Sequence, residues 1–102
     1  MDVKTITEQE ITTVYLSGEL DHHNAAPLRE RVDTVIRERR PKRLVLDFSG
    51  ISFMDSSGIG FVMGRYKLIR SLDGELRIQG ASARMEKVMR LAGLEKLPIW
   101  KG

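Results

Sequence analysis

Cysteine is absent from this chain. Disulfides, thiolate zinc sites and a cysteine nucleophile go with it. No apolar run approaches the roughly 20 residues needed to span a bilayer. The opening, MDVKTITEQE, lacks the basic-then-apolar pattern of an export signal, so the cytoplasm is the expected compartment. Repeats, linkers and low-complexity tracts are also missing. The chain has only 102 residues, which allows one domain with one modest core, spanning 1–102.

What is present is an ordinary globular mix, 41% hydrophobic and 30% charged. The net charge of +3 gathers in RERRPKR, residues 37 to 43. Glu38 interrupts that run and no aromatic residue interleaves with it. It reads as a helix end, where cations favour the macrodipole, followed by a proline stop. Direct nucleic-acid binding is not expected; an acidic protein surface is a better match.

Periodicity divides the chain. VKTIT (3–7) and ITTVYLSG (11–18) are rich in β-branched residues and read as a hairpin. Asn24 is the expected N-cap of a first helix, with Pro27 in its first turn and a stripe of Leu28, Val32, Val35 and Ile36. Pro41 closes it. RLVLDF (43–48) has the near-continuous apolar character of a central strand covered on both faces. Ile59, Val62, Met63, Tyr66 and Ile69 recur at helical spacing. LDGE (72–75) is a turn, and ELRIQ (75–79) alternates like a strand exposed on one face. Ser82 caps a third helix whose inward residues are expected to be Met85, Val88, Met89 and Ala92. Gly93 stands at its C′ position, with Leu94 after it. LPIW reads as a short last strand. The order β-β-α-β-α-β-α implies an α/β domain. Its sheet is mixed and mostly parallel, of about four to five strands packed with about three helices, the first strand antiparallel.

Functional loops in such folds cluster at the carboxyl ends of strands. Two loops are expected there: GISFMDSSG after strand 43–48, and SGELDHHN after strand 11–18. Asp55 or Ser56 caps the following helix, so one or both serines lie where N–H dipoles converge. Four readings compete. A hydrolase would use Ser56 or Ser57 as nucleophile, His22 or His23 as base and Asp21 to orient it. Neither serine, however, has the Gly-x-Ser-x-Gly context of a nucleophile elbow. A phosphate loop would need a lysine after its second glycine, and SSGIGFVMG has none. Ser56 as a phosphorylation target fits better: the helix N-terminus accepts the dianion without unfolding, and a docking partner meets new charge. The plainest reading is a helix cap followed by two packing glycines.

The segments GELDHHNA (18–25), RLVLDFSGISFMDSSGIGFVMGRYK (43–67), GELRI (74–78) and RLAGLEKL (90–97) resemble the STAS-domain anti-anti-sigma factors. The likeness covers nearly the whole chain in register. The Asp-His-His of GELDHH points to the sporulation branch; general-stress relatives more often read Glu-Ile-Asp-Val there.

The resemblance implies a regulatory cycle with no cofactor, metal or catalytic group on this chain. An anti-sigma factor that is also a GHKL-type serine kinase would phosphorylate Ser56, and the phosphorylated chain would let go. A PP2C-type phosphatase would restore binding. Asp21, Asp55, Ser57 and Gly58 would shape the acceptor loop and its partner surface. Glu19, Leu20, Ile59, Gly60 and Met63 would contact the partner, with core packing an open alternative for the apolar ones. A second pathway of the same chemistry, such as general stress, remains the alternative, and the hydrolase a remote one.

Two departures stand out. Pro27 falls where relatives usually carry polar residues. The chain also ends at Trp100-Lys101-Gly102, where relatives commonly continue into a last helix, so Trp100 and the sheet beneath it are expected to be exposed. A monomer is the expected state, with oligomerisation or lower stability as the alternative consequence of that exposed sheet.

Overall fold

The computed structural model describes residues 1–100. The expectation attached to Lys101 and Gly102 lies outside the described residues. β1 (Asp2–Glu8) and β2 (Ile11–Leu20) form the expected hairpin. Then follow α1 (His22–Arg39), β3 (Arg43–Met54), α2 (Ser56–Ser71), β4 (Glu75–Gln79) and α3 (Ala83–Met89). The sheet order is β1-β2-β3-β4, with β1 antiparallel to β2 and the other pairings parallel.

Alternation along the strands sorts the side chains. Val14 and Leu16 of β2, Leu44, Leu46 and Phe48 of β3, and Leu76 and Ile78 of β4 join one buried cluster. Leu28, Val32 and Ile36 from α1 and Phe61, Val62 and Ile69 from α2 complete it. The intervening residues Ile11, Tyr15 and Ile6 are left exposed. Val45 and Asp47 on that second side are nonetheless buried.

Several expectations change. α1 starts at His22, three residues before the expected start after Asn24, because Asp21 takes the capping role and its carboxylate accepts from the Asn24 N–H at 3.0 Å. Pro27 therefore stands in the second turn, inside the helix. β2 and β3 run on beyond their expected ends. Their ladder continues from Ile11↔Arg43 to Leu20↔Met54 across two register shifts. Gly18, at φ 111°, absorbs the second of these irregularities. Apolar character resumes at the buried Ile51, which extends β3 past the exposed Ser49 and Gly50.

The third helix is capped by Ser82 as expected. Val88 and Ala92 do not face inward; the buried residues are Met89 and Leu94. The chain kinks at Gly93, φ 105°, so the α-helical stripe does not carry through Ala92; Val88 precedes the kink and falls on the exposed side of α3. LPIW contributes a single parallel bridge, Ile78↔Trp100, rather than a strand. Trp100 is half-buried, not exposed. Its indole N–H donates to the Leu94 carbonyl at 3.0 Å, and Arg90 lies 4.2 Å over its ring.

Candidate functional site

Leu20 and Met54 are partners at the carboxyl ends of two adjacent parallel strands. The next residue in each chain segment is an aspartate, and each aspartate caps a helix. Asp21 caps α1 and Asp55 caps α2. Two helix N-termini thus emerge side by side from one sheet edge.

Asp55 joins them. One carboxylate oxygen accepts from the Ser57 N–H at 2.8 Å, the other from the His22 N–H at 3.3 Å. The Asp55 backbone N–H donates to the Leu20 carbonyl at 3.3 Å. The Asn24 side-chain amide donates to the Glu19 carbonyl at 2.8 Å and ties down the other loop. A single carboxylate therefore satisfies orphan donors of two helices, which fixes the loops relative to each other.

Ser56 is the first residue of α2 and is exposed. Among the described residues no hydrogen bond engages its hydroxyl. Ser57 is half-buried beside it. Asp21 and Asp55 flank the serine with carboxylates, while the helix end opposes them with positive dipole. A negative group added at Ser56 would meet both influences, and the N-terminus offsets much of the local repulsion.

The other sequence-derived positions separate into two sets. Glu19 and Gly60 are exposed, and Ile59 and Met63 are half-buried against the core. Leu20 is 0% exposed. Gly58 is buried too; a Cβ there would run into the Met54 side chain and reach the Leu20 side chain at 3.2 Å. Leu20 and Gly58 are therefore corrected from partner contacts to packing residues under the acceptor loop. Gly60 is the opposite case, with nothing within 4 Å of an added Cβ. Its missing side chain leaves α2 flat one turn after Ser56.

The hydrolase arrangement does not assemble. His22 and His23 are exposed and stack edge-on at 5.9 Å. Among the described residues neither ring is hydrogen-bonded to a serine. The Asp21 carboxylate is engaged by Asn24.

Beside the serines, a groove of about 330 Å³ runs between α1 and α2, lined by His22, Ala25, Arg29, Ser57, Gly60 and Arg65. Sequence reasoning missed Arg65, which is only 5% exposed. Its Nε forms an ion pair with Asp33 Oδ1 at 2.7 Å, and its Nη2 donates to Asp33 Oδ2 at 3.5 Å. Nη1 donates to the Phe61 carbonyl at 3.1 Å, and the guanidinium lies 5.2 Å over the Phe61 ring. Burial lowers the Arg65 pKa and Asp33 pulls it back up, with Arg29 and Arg37 adding repulsion. The pair pins α1 to α2 just behind the site. An arginine inside an otherwise apolar helical stripe was the available signal.

The model of the STAS domain family matches residues 2–101. The chain belongs to the STAS-domain family. This STAS domain is 38% identical over 91 residues to the anti-sigma F factor antagonist of Paenibacillus polymyxa, covering 88% of this chain and 78% of that one. It is 31% identical over 97 residues to the anti-sigma-B factor antagonist of Staphylococcus aureus, covering 95% and 89%. Among solved structures it resembles the Bacillus cell fate determinant SpoIIAA in its phosphorylated form. That match has 29% identity and a TM-score of 0.74, and covers 99% of this chain and 92% of that one. The unphosphorylated form of SpoIIAA gives 28% identity and a TM-score of 0.76, covering 99% and 88%. The STAS fold expected from the sequence is thus the fold observed, with a four-stranded sheet.

Proposed function

We propose that this STAS domain is an anti-sigma factor antagonist whose docking is switched by phosphorylation of Ser56. The observation that carries the reading is the placement of Ser56. It is an exposed hydroxyl at the first position of α2, on an edge held rigid by Asp21 and Asp55. The names of the sigma-F and sigma-B relatives support the antagonist role, and the phosphorylated form of SpoIIAA supports the switch.

The partner is a serine kinase of the GHKL type that also sequesters a sigma factor. It brings ATP and Mg²⁺. The Ser56 hydroxyl oxygen bonds to the γ-phosphorus, its proton is lost and ADP departs. This chain is substrate, not catalyst. The unphosphorylated surface docks through Glu19, Asp21, Gly60 and the exposed parts of Ile59 and Met63, with Asp55 and Ser57 shaping the loop. The kinase surface releases its sigma factor in exchange. Phosphorylation leaves the fold standing, because a helix N-terminus favours the added charge. It opposes docking by burying a dianion against the partner's own acceptor-binding groups. A hundredfold loss of affinity requires only about 2.7 kcal/mol, within the reach of one such charge at a desolvated contact. A metal-dependent phosphatase of the PP2C type returns the serine by hydrolysis. All of this belongs to the cytoplasm, where ATP is available, and involves no direct contact with nucleic acid. The GELDHHN loop and the 38% identity to the sigma-F antagonist favour the sporulation branch.

The test is mass spectrometry after incubation with the anti-sigma kinase and Mg-ATP, paired with binding of Ser56→Ala and Ser56→Asp. Phosphate on Ser56 alone, tight binding by the alanine variant and at least tenfold weaker binding by the aspartate variant are expected. Equal affinity of the two variants would remove charge at this position as the switch. Phosphorylation by a general-stress kinase but not a sporulation kinase would move the chain to the other pathway.

A further inference from the structure

β1 is an edge strand, and its second edge is bare. Among the described residues, only β2 pairs with it. The hairpin geometry says which backbone groups are free. β1 and β2 are joined by the two-residue turn Gln9–Glu10, with Gln9 at φ 58°. In such hairpins the residues flanking the turn, here Glu8 and Ile11, form a hydrogen-bonded pair. Hydrogen-bonded and open pairs then alternate. Ile6 and Lys4 therefore direct their N–H and C=O groups toward β2. Val3, Thr5 and Thr7 direct theirs outward. The Thr7–Thr12 hydroxyl contact at 2.9 Å agrees, because side chains approach more closely across an open pair.

Outward groups at alternate residues are a template for another strand. The side chains of β1 specify which one. Lys4, Ile6 and Glu8 share one face of the strand, and Ile6 is 40% exposed. An antiparallel copy of β1 centred on Ile6 sets Thr5 against Thr7 of the second copy as a hydrogen-bonded pair, twice. It sets Ile6 against Ile6 across an open pair, where side chains are closest. It sets Lys4 against Glu8, also across open pairs and also twice. Every outward N–H and C=O of Thr5 and Thr7 finds a partner, and Lys4 and Glu8 each meet an opposite charge; Asp2 extends past the paired segment toward Glu10 in the turn of the second copy, whose carboxylate Lys42 holds at 3.4 Å. A centre on Thr5 would instead oppose Asp2 to Glu8, and a centre on Lys4 would oppose lysine to lysine. Of these three registers, only the one centred on Ile6 combines paired backbone, an apolar contact and opposite charges, and it uses the middle of the strand.

We propose that a second copy of this chain docks along the β1 edge in the antiparallel register centred on Ile6, giving a two-fold dimer with one continuous sheet. The symmetry is isologous and closed, so growth stops at two. The axis is perpendicular to the sheet, so the carboxyl ends of β2 and β3 point in opposite directions in the two copies. Both Ser56 loops stay open, and the dimer presents two docking sites to separate partners. The monomer expected from the sequence becomes the dilute form of a weak dimer. Trp100, expected to drive any oligomerisation, takes no part, since its ring is covered by Arg90.

Sedimentation equilibrium of the full chain from low to high micromolar concentration tests the proposal, with circular dichroism confirming the fold of each variant. The wild type should dimerise with concentration. Lys4→Glu and Glu8→Lys should each weaken the dimer roughly tenfold, and the two together should restore it. Thr5→Pro removes an edge N–H that no intramolecular bond uses, and should leave a folded monomer. If that variant unfolds, the charge swap alone decides. A wild type that stays monomeric throughout overturns the proposal. So does a dimer indifferent to the charge reversals, which would point to packing through the exposed sheet face around Ile11 and Tyr15.

Discussion

Two glycines two residues apart do opposite work in α2. Gly58 is enclosed by Met54 and Leu20, and Gly60 faces open space. Both are equally poor helix formers, so propensity alone predicts that alanine stabilises either position by about 0.5–1 kcal/mol. Packing separates them. Gly60→Ala should keep that gain, because its Cβ meets nothing. Gly58→Ala must displace Met54 and strain the strand end beneath the acceptor loop, so a net loss of about 1–3 kcal/mol is expected. Urea denaturation of the two variants reads the difference directly. A stabilised Gly58→Ala would show that Met54 moves aside freely and that this glycine is not there for packing. Gly60→Leu adds the functional half: unchanged stability with weakened kinase binding is the outcome expected of a flat docking face. Asp55 shows the same economy in a side chain, since one carboxylate serves two helix ends.

The elements were legible in the sequence wherever a period ran undisturbed. The hairpin, the stripe Leu28, Val32 and Ile36, the parallel strands and the Ser82 cap all stand where the pattern put them. The misses occurred where the period broke. Register shifts between β2 and β3 hid their extension toward Leu20 and Met54. The kink at Gly93 broke the stripe near Ala92, while Val88 falls on the exposed side of α3. Asp21 displaced Asn24 as cap because the strand ended at Leu20, a tertiary event that no local pattern records. Of the candidate site, the serine loop and the DHH loop were placed together correctly, whereas the buried roles of Leu20 and Gly58 required neighbours to be known. Arg65 left a signal, a charge inside an apolar stripe, but its pairing with Asp33 was not legible, since it joins residues 32 positions apart. That pair makes a prediction about α1 and α2. Asp33→Asn leaves the Arg65 charge buried without its counterion and should cost about 3–5 kcal/mol. Replacing both, with Asp33→Leu and Arg65→Met, should recover much of that loss, because apolar side chains need no counterion. Thermal unfolding of the single and double variants checks it; a double variant as unstable as the single one would mean the ion pair supplies more than compensation for its own burial.

Across the whole molecule, acid stability should answer to one buried carboxylate far from the docking loops' own acids. Asp47 is 8% exposed and links β3 to β4 through the Gln79 amide at 2.8 Å. It also accepts from the Ser49 N–H at 2.9 Å and from the Ser49 hydroxyl. Gly80 permits this closeness, at φ 71° with an added Cβ only 2.9 Å from the Ser49 nitrogen. Burial pushes the Asp47 pKa up, but the Ser49 and Gln79 hydrogen bonds favour the carboxylate and together outweigh it. The net shift is below the ordinary value of 3.8. A pKa lower in the folded state than in the unfolded one means that the unfolded chain binds the proton more readily. The stabilisation is therefore fully present above pH 3.8 and is lost as the pH falls through the folded value. Asp47→Asn keeps the shape and cannot ionise, but it replaces one acceptor oxygen by an N–H donor, so Gln79 must turn its amide to stay bonded. The variant should be less stable than the wild type at neutral pH, and the gap should narrow only below pH 3.8, as the wild-type carboxyl takes up its proton. Chemical denaturation at a series of pH values gives both curves. If they stayed parallel down to the acid transition, Asp47 would not be the group that sets the acid limb. Because β4 forms one edge of the sheet, the failure should begin there, with α3 and the Trp100 bridge released before the β2–β3 ladder that carries Asp21 and Asp55.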